Sequence, residues 1–106
     1  RKIKDSNCLI LIGIDSNNIP IGQVRIDSLD ELNIIDISID SDARGLGFAS
    51  ILLKESVKFW KSLTRENPLI ADVFTSNNTS QKVFLSSGFR MLYEDKANEI
   101  IRYILI

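Results

Sequence analysis

The chain has 106 residues, and its 44% hydrophobic content is enough to build one core, so we expect a single domain over residues 1–106. Its formal net charge is −1, with 13 basic and 14 acidic residues mixed along the sequence, which indicates neither a nucleic-acid partner nor a membrane partner. Histidine is absent, which excludes Ser/His/Asp and Cys/His catalysis and histidine-ligated metal sites, and we expect no metal cofactor.

Cysteine usage and hydropathy predict the compartment. Cys8 is the single cysteine and cannot form an internal disulfide, which favours a reducing environment. No apolar run approaches the roughly 20 residues of a membrane-spanning helix, and no signal peptide is visible. We therefore expect a cytoplasmic protein.

The first elements in the chain are predicted to form a three-stranded antiparallel meander. Residues 8–14 and 19–26 are β-rich runs, and the polar turn formers at 15–18 between them favour a hairpin. Residues 28–31 then turn the chain into a third strand at 34–40, where isoleucines alternate with polar residues.

A glycine-rich turn and a helix follow this third strand. From Ala49 to Leu63 the apolar residues have the spacing of one helical face. Ahead of them, Gly45 and Gly47 allow the backbone to turn sharply and to approach a bound group. The first N–H groups of a helix are unpaired and partly positive, so they suit a phosphate, and Arg44 adds a full charge. The sequence predicts an anion-binding corner here.

The second half of the chain predicts one more helix and three more strands. Asn67 and Pro68 end the long helix, and the strand at 69–74 should pair in parallel with the third strand because a helix separates the two. Cap residues at 75–79 begin a short helix that Gly88 ends, and two last strands follow at 89–94 and 99–106. The predicted fold class is therefore α/β, a mixed and mainly antiparallel sheet in the order β-β-β-α-β-α-β-β.

Two motifs in this frame resemble those of one enzyme family. The glycine turn is neither a dinucleotide fingerprint, because Ser50 replaces its last glycine, nor a P-loop, because Gly-Lys-Ser/Thr is absent. Arg44-x-x-Gly47-x-Ala49 instead resembles the Q/R-x-x-G-x-G/A signature of the GCN5-related N-acetyltransferases (GNAT). Asn77-x-x-Ser80-x-x-x-Phe84-x-x-x-Gly88-Phe89 resembles the family's N-x-x-A-x-x-x-Y-x-x-x-G-F. The resemblance covers residues 19–93.

The resemblance implies a GNAT-like fold. Family members usually begin with a further strand and one or two helices that form part of the acceptor pocket, whereas this sequence opens at the equivalent of the second strand. We therefore expect the fold to lack those elements. An exposed sheet edge left in this way would favour a homodimer or a fused partner domain.

The resemblance also implies acetyl-CoA as co-substrate and assigns residues to it. Main-chain groups of Ile37, Ser38 and Ile39 would pair with the pantetheine arm and face the thioester oxygen. The pyrophosphate would be held by the glycine corner, which comprises Arg44, Gly45, Leu46, Gly47, Phe48, Ala49 and Ser50. Asn77 would contact the lower pantetheine or phosphate arm, or else act only as a helix N-cap. Phe84 replaces the motif tyrosine among the cofactor contacts.

For proton transfer, the resemblance points to Asp72, at a position where related enzymes carry a glutamate proposed as base. Its apolar neighbours would raise the pKa of this carboxyl towards a useful range. Asp36 and Glu31 are alternative bases that could act through water. A phenyl ring such as Phe84 cannot protonate the leaving thiolate, and Tyr93 and Tyr103 are its possible substitutes.

The function implied is an N-acetyltransferase in which a primary amine of a small molecule attacks the thioester directly. Residues 21–27, together with Phe84 and Ser80, resemble acetyltransferases of amino-sugar pathways, so one hypothesis for the acceptor is an amino sugar or a nucleotide-linked sugar. A second hypothesis is a non-catalytic acyl-CoA-binding or assembly domain, and a third is a structural domain without a ligand.

Overall fold

The structure is a computed structural model that describes residues 8–29, 32–45, 47–63 and 68–106. It has the predicted order of strands and helices, which is thereby confirmed. The elements are β1 (Cys8–Ile14), β2 (Pro20–Leu29), β3 (Leu32–Ile39), α1 (Phe48–Ser62), β4 (Leu69–Phe74), α2 (Asn78–Ser86), β5 (Arg90–Asp95) and β6 (Ile100–Leu105). A short 3-10 turn, Ser41–Ala43, links β3 to the glycine corner. Of the predicted boundary residues, Asp30, Glu31 and Asn67 lie outside the described ranges.

The strands form one sheet in the order β1-β2-β3-β4-β6-β5. The predicted parallel pairing of β3 with β4 is confirmed, and the other neighbouring strands pair antiparallel. The last strand of the chain therefore lies inside the sheet, between β4 and β5. The described edges of the sheet are β1 and β5, and a homodimer formed through such an edge stays a prediction.

The sheet is split between its two central strands. The ladder joining β3 to β4 has two register pairs, Asn33 with Leu69 and Ile34 with Ile70. Beyond Ile34, β3 stays paired to β2 as far as Ile39, and β4 stays paired to β6 as far as Phe74. Each strand is thus held by its outer neighbour while the two part from each other, which leaves unpaired main chain along the split.

Both helices pack on the same face of the sheet. Leu53, Val57 and Trp60 of α1 follow one helical stripe and join the core, which includes Val24 and Ile35 of the strands. Phe84 brings α2 to the same core, with its ring 5.0 Å from that of Phe89 and 6.5 Å from that of Tyr103. The anchored stripe holds the N-terminus of α1 at the carboxyl end of β3.

The opposite face of the sheet carries exposed side chains, because strand residues alternate between faces. Ile10, Ile12, Ile14, Phe74 and Tyr93 are all exposed there. None of the described helices is both long enough and apolar enough to cross a lipid bilayer.

Candidate active site

A cavity of about 630 Å³ opens at the top of the split, between the end of β3 and the N-termini of α1 and α2. Its wall brings together most of the residues predicted to contact a cofactor. The lining residues are Ile37, Ser38, Ile39, Ala43, Arg44, Gly45, Gly47, Phe48, Ala49, Ser50, Asn77, Thr79, Ser80 and Val83. Leu46, also predicted there, lies outside the described residues.

The β3 side of this cavity offers main-chain hydrogen-bonding groups. The Asp40 N–H donates to the Ile21 carbonyl on the β2 side, at 2.8 Å. Main-chain groups of successive strand residues point to opposite sides, so those of Ile37 and Ile39 point towards the split. Those of Ser38 point towards β2, as those of Asp40 do, so the predicted main-chain contact of Ser38 with a cofactor does not fit this register. The Ile39 carbonyl accepts from Arg44 Nε at 3.2 Å, which ties the basic side chain to the rim of the cavity.

The glycine corner leaves the start of α1 open. Gly47 is the N-cap residue of α1, with φ 82°. Because glycine has no side chain, it makes no side-chain capping hydrogen bond to the helix. Gly45 has φ 80°, and a Cβ built on either glycine would meet nothing within 4 Å. The first turn of α1 contains no acidic residue. The helix N–H groups and the Arg44 charge therefore face open space that suits an anion.

The N-terminus of α2 forms the opposite wall. The Asn77 side chain accepts from the Ser80 N–H at 3.1 Å, so Asn77 caps this helix as well as lining the cavity. Thr79, Ser80 and Val83 were not predicted as lining residues. Helical spacing from Asn77 could have identified Ser80 and Val83, since residues three apart share a face.

Phe84 does not line the cavity, which corrects its predicted place among the cofactor contacts. Its side chain is 3% exposed and packs on Phe89 and Tyr103. The physical reason is the orientation of α2, which turns Phe84 towards the sheet and leaves the neighbouring Val83 at the cavity.

The two tyrosines considered as proton donors also lie outside the cavity wall. Tyr103 is buried, its hydroxyl lies 3.4 Å from Gln81 Oε1, and burial raises the pKa of this hydroxyl. Tyr93 is exposed on the other face of the sheet, with the Arg102 guanidinium 5.7 Å from its ring centroid. Neither hydroxyl is placed to protonate a group held in the cavity.

Asp72 has different surroundings from those expected. Instead of apolar neighbours it has Arg102, whose Nε donates to Oδ1 at 2.7 Å and whose Nη2 donates to Oδ2 at 2.8 Å. The same contact raises the pKa of the Arg102 guanidinium. Asp72 does not line the cavity, and the apolar setting that was expected to make it a base is absent. The two residues are brought together because β6 inserts beside β4.

Asp36 lies across the split from Asp72. The last pair of the parallel ladder is Ile34 with Ile70, and Asp36 and Asp72 each lie two residues beyond it on their own strands. Because strand residues alternate between faces, both carboxylates are on the sheet face opposite the helices. The side chain of Asp36 makes no hydrogen bond or ion pair with any residue that the structure describes. Its cross-strand neighbour Arg25 is engaged by Asp27, at 2.9 Å.

Comparison with known families gives a match over most of the chain. Residues 1–89 match the profile described as the acetyltransferase (GNAT) family. No curated protein matches the sequence significantly.

Solved structures with the same fold include several acetyltransferases. Ribosomal-protein-S5-alanine acetyltransferase from Vibrio fischeri is 19% identical, with a TM-score of 0.87 over 97% of this chain and 63% of that one. Spermidine N-acetyltransferase from Vibrio cholerae, in complex with CoA and spermine, is 17% identical, with a TM-score of 0.81 over 95% and 66%. The Campylobacter jejuni N-acetyltransferase PseH, in complex with acetyl coenzyme A, is 21% identical, with a TM-score of 0.80 over 96% and 70%. The chain thus spans about two thirds of the length of these structures.

Proposed function

The chain belongs to the acetyltransferase (GNAT) family, and we propose that it transfers an acetyl group from acetyl-CoA to the primary amine of a small molecule. The observation that carries this proposal is the convergence, in one cavity, of unpaired β3 main chain, an uncapped helix N-terminus and Arg44. These are donors and acceptors for a chain of amides that ends in a pyrophosphate.

The residues of the cavity fit such a cofactor. Main-chain groups of Ile37 and Ile39 would hold the pantetheine amides as an added strand. The N–H groups from Gly47 to Ser50 and the Arg44 guanidinium would hold the pyrophosphate, in the space where a Cβ at Gly45 or Gly47 would meet nothing. When bound, acetyl-CoA supplies an activated acetyl thioester. The amine nitrogen would bond directly to the thioester carbonyl carbon, without a covalent enzyme intermediate. The C–S bond would then break, and coenzyme A would leave as a thiolate, which is a fair leaving group because a thiol has a pKa of about 8.5.

An attacking ammonium group must first lose a proton, because an alkyl amine has a pKa of about 10. Asp72 was the residue predicted for this role, but both of its oxygens accept from Arg102. Asp36 stands at the matching place on β3 and, like Asp72, lies outside the wall of the cavity, but it has no partner among the described residues. We propose that Asp36 receives the ammonium group and its proton, directly or through water, and that the Asp72–Arg102 pair forms the facing wall.

Carboxylate substitutions test this assignment. Asp36→Asn should lower kcat/KM for the amine by about 100-fold at neutral pH, because general base catalysis typically raises the reaction rate by about 10²- to 10⁴-fold. Asp72→Asn should lower it by less than about tenfold, since an amide can still accept a hydrogen bond from Arg102. Both variants should keep the KM for acetyl-CoA. The measurement is a pH profile of kcat/KM for each variant, and the opposite order of effects would return the role to Asp72.

The acceptor proposed is an amino sugar, free or linked to a nucleotide. The support for this class is the resemblance of residues 21–27, Ser80 and Phe84 to amino-sugar acetyltransferases. Acetylation of spermidine or of peptide amines, with no activity on any amino sugar, would contradict it.

The cofactor site is tested first by thermal unfolding of this chain with acetyl-CoA and coenzyme A. A ligand at a hundred times its Kd adds about 2.7 kcal/mol of stability, which should raise Tm by on the order of 10 °C. Adenosine 3′,5′-bisphosphate, which lacks the pantetheine arm, should give a smaller rise. Stabilisation without turnover on a broad amine panel would favour a non-catalytic acyl-CoA-binding domain. No stabilisation by either thiol ligand would contradict the proposed site.

A further inference from the structure

A second cavity, shallow and mostly open to solvent, has a volume of about 470 Å³ and lies on the sheet face that the helices leave open. Its lining residues are Ile12, Pro20, Gly22, Gln23, Ser38 and Asp40. Three of them form one row across the strands, because Ile12 is in register with Gln23 and Gln23 is in register with Ser38. Ser38 is the residue that this cavity shares with the cofactor cavity. The two cavities therefore meet at β3.

The side chains of this cavity have the chemistry of a site for a hydroxyl-rich amine. The Gln23 amide can donate and accept, the Ser38 hydroxyl can do both, and the Asp40 carboxylate can accept from hydroxyl or ammonium groups. Ile12 and Pro20 add apolar surface beside them. The six lining residues include no lysine or arginine, so a phosphate or carboxylate placed here would find no cationic partner.

These polar groups are not used by the fold. Asp40 precedes the 3-10 turn, yet its side chain makes no capping hydrogen bond, and its backbone N–H is already bound to the Ile21 carbonyl. The side chains of Gln23 and Ser38 make no hydrogen bonds within the described part of the chain, and both are exposed. The cavity floor thus presents three polar groups that are free to bind a ligand.

We propose that this second cavity is the acceptor subsite and that it takes the ring of an amino sugar. This inference rests on the proposed acetyl transfer and names the place and class of its acceptor. A cofactor seated in the first cavity fills the helix side of the split, so the acceptor must approach from the open face. A ring held by Gln23 and Asp40 would place its amine beside Ser38, two residues along β3 from the proposed base Asp36 and on the same face of the sheet. A nucleotide attached to the sugar would extend out of the cavity into solvent.

The test uses two variants that change the cavity in different ways. Gln23→Trp fills an exposed position of the floor, and Asp40→Asn removes the carboxylate charge while keeping its shape. Asp42→Asn is the matched control, because Asp42 is exposed, two residues further along, and lines neither cavity. The acceptors compared are glucosamine, UDP-glucosamine and spermidine, and the readouts are the KM for each amine, measured by thiol release, and the acetyl-CoA melt.

We expect Gln23→Trp to raise the KM for glucosamine at least tenfold, and Asp40→Asn to raise it severalfold. The KM for acetyl-CoA, its thermal stabilisation and the Asp42→Asn control should stay within twofold of the parent chain. An unchanged glucosamine KM in both cavity variants, or activity on spermidine alone, would overturn the acceptor subsite while leaving the cofactor site intact. If acetyl-CoA did not stabilise the unsubstituted chain in the thermal melt, the proposed function itself would be rejected.

Binding can be followed even if turnover is slow. Glucosamine titrated into the protein saturated with coenzyme A should shift the amide resonances of Gly22, Gln23 and Asp40. These shifts should be absent in Gln23→Trp and present in Asp42→Asn. A titration that leaves the three amides unmoved in the parent chain would overturn the inference.

Discussion

Gly47→Asp is expected to raise the KM for acetyl-CoA by two to three orders of magnitude while leaving the chain folded. A carboxylate at this position would stand at the N-terminus of α1, where the pyrophosphate is proposed to bind. Two like charges 4 Å apart repel by about 4 kcal/mol at an effective dielectric constant of 20. Solvent screening lowers this repulsion, which is why the expected rise in KM extends down to two orders of magnitude. The measurements are KM for acetyl-CoA and the acetyl-CoA melt.

The control for this variant is Gly47→Asn, which has nearly the same size and no charge. Gly47 has φ 82°, and asparagine and aspartate are the non-glycine residues that tolerate this region best. A Cβ there meets nothing within 4 Å, and both side chains bear the same backbone strain at this positive φ, so the comparison isolates the effect of the charge. We expect the asparagine variant to change KM by less than about tenfold, because it lacks the charge repulsion. Equal KM values for the two variants would argue against a bound anion at this corner.

Leu53→Ala is expected to cost about 2 to 5 kcal/mol of unfolding free energy, the range for truncating a fully buried leucine. Leu53 is 0% exposed and lies in the middle of the α1 stripe that packs on the sheet. The cavity left behind would loosen the helix whose first turn belongs to the glycine corner, where an anion is proposed to bind. Tm should fall by on the order of 10 to 20 °C, measured by calorimetry or circular dichroism.

Ile51→Ala on the same helix provides the comparison. Ile51 is 62% exposed, so its truncation removes a similar aliphatic group from the solvent side of α1. Surface substitutions of this kind usually change stability by less than about 0.5 kcal/mol. If both variants lost the same stability, α1 would not pack through its Leu53 face.

The elements and the parallel pairing could be predicted because their causes are local. Alternating isoleucines in β3 and helical spacing after Ala49 are properties of short windows, and a helix between two strands favours a parallel pair. The glycine corner could also be predicted, because two glycines ahead of a helix favour a sharp turn. In the structure Gly45 and Gly47 both adopt the left-handed backbone conformation that favours glycine. Their positive φ angles place Arg44 and the start of α1 at the same cavity.

What could not be predicted depends on contacts between distant segments. Arg102 reaches Asp72 because β6 inserts between β4 and β5, and nothing in a local window specifies that order. Phe84 and Val83 are adjacent in sequence, and only the docking of α2 on the sheet decided which of them meets the cavity.

The sequence by itself determined the strands, the helices, the glycine corner and the family, because these follow from backbone preference, hydrophobic period and motif spacing over short distances. The tertiary structure decided which groups are free to act. The split between β3 and β4 exposes main chain at Ile37 and Ile39, the Arg102 pair engages Asp72, and the row from Ile12 to Ser38 opens a second cavity. Each of these arises from strand order and register, which bring together residues far apart along the chain.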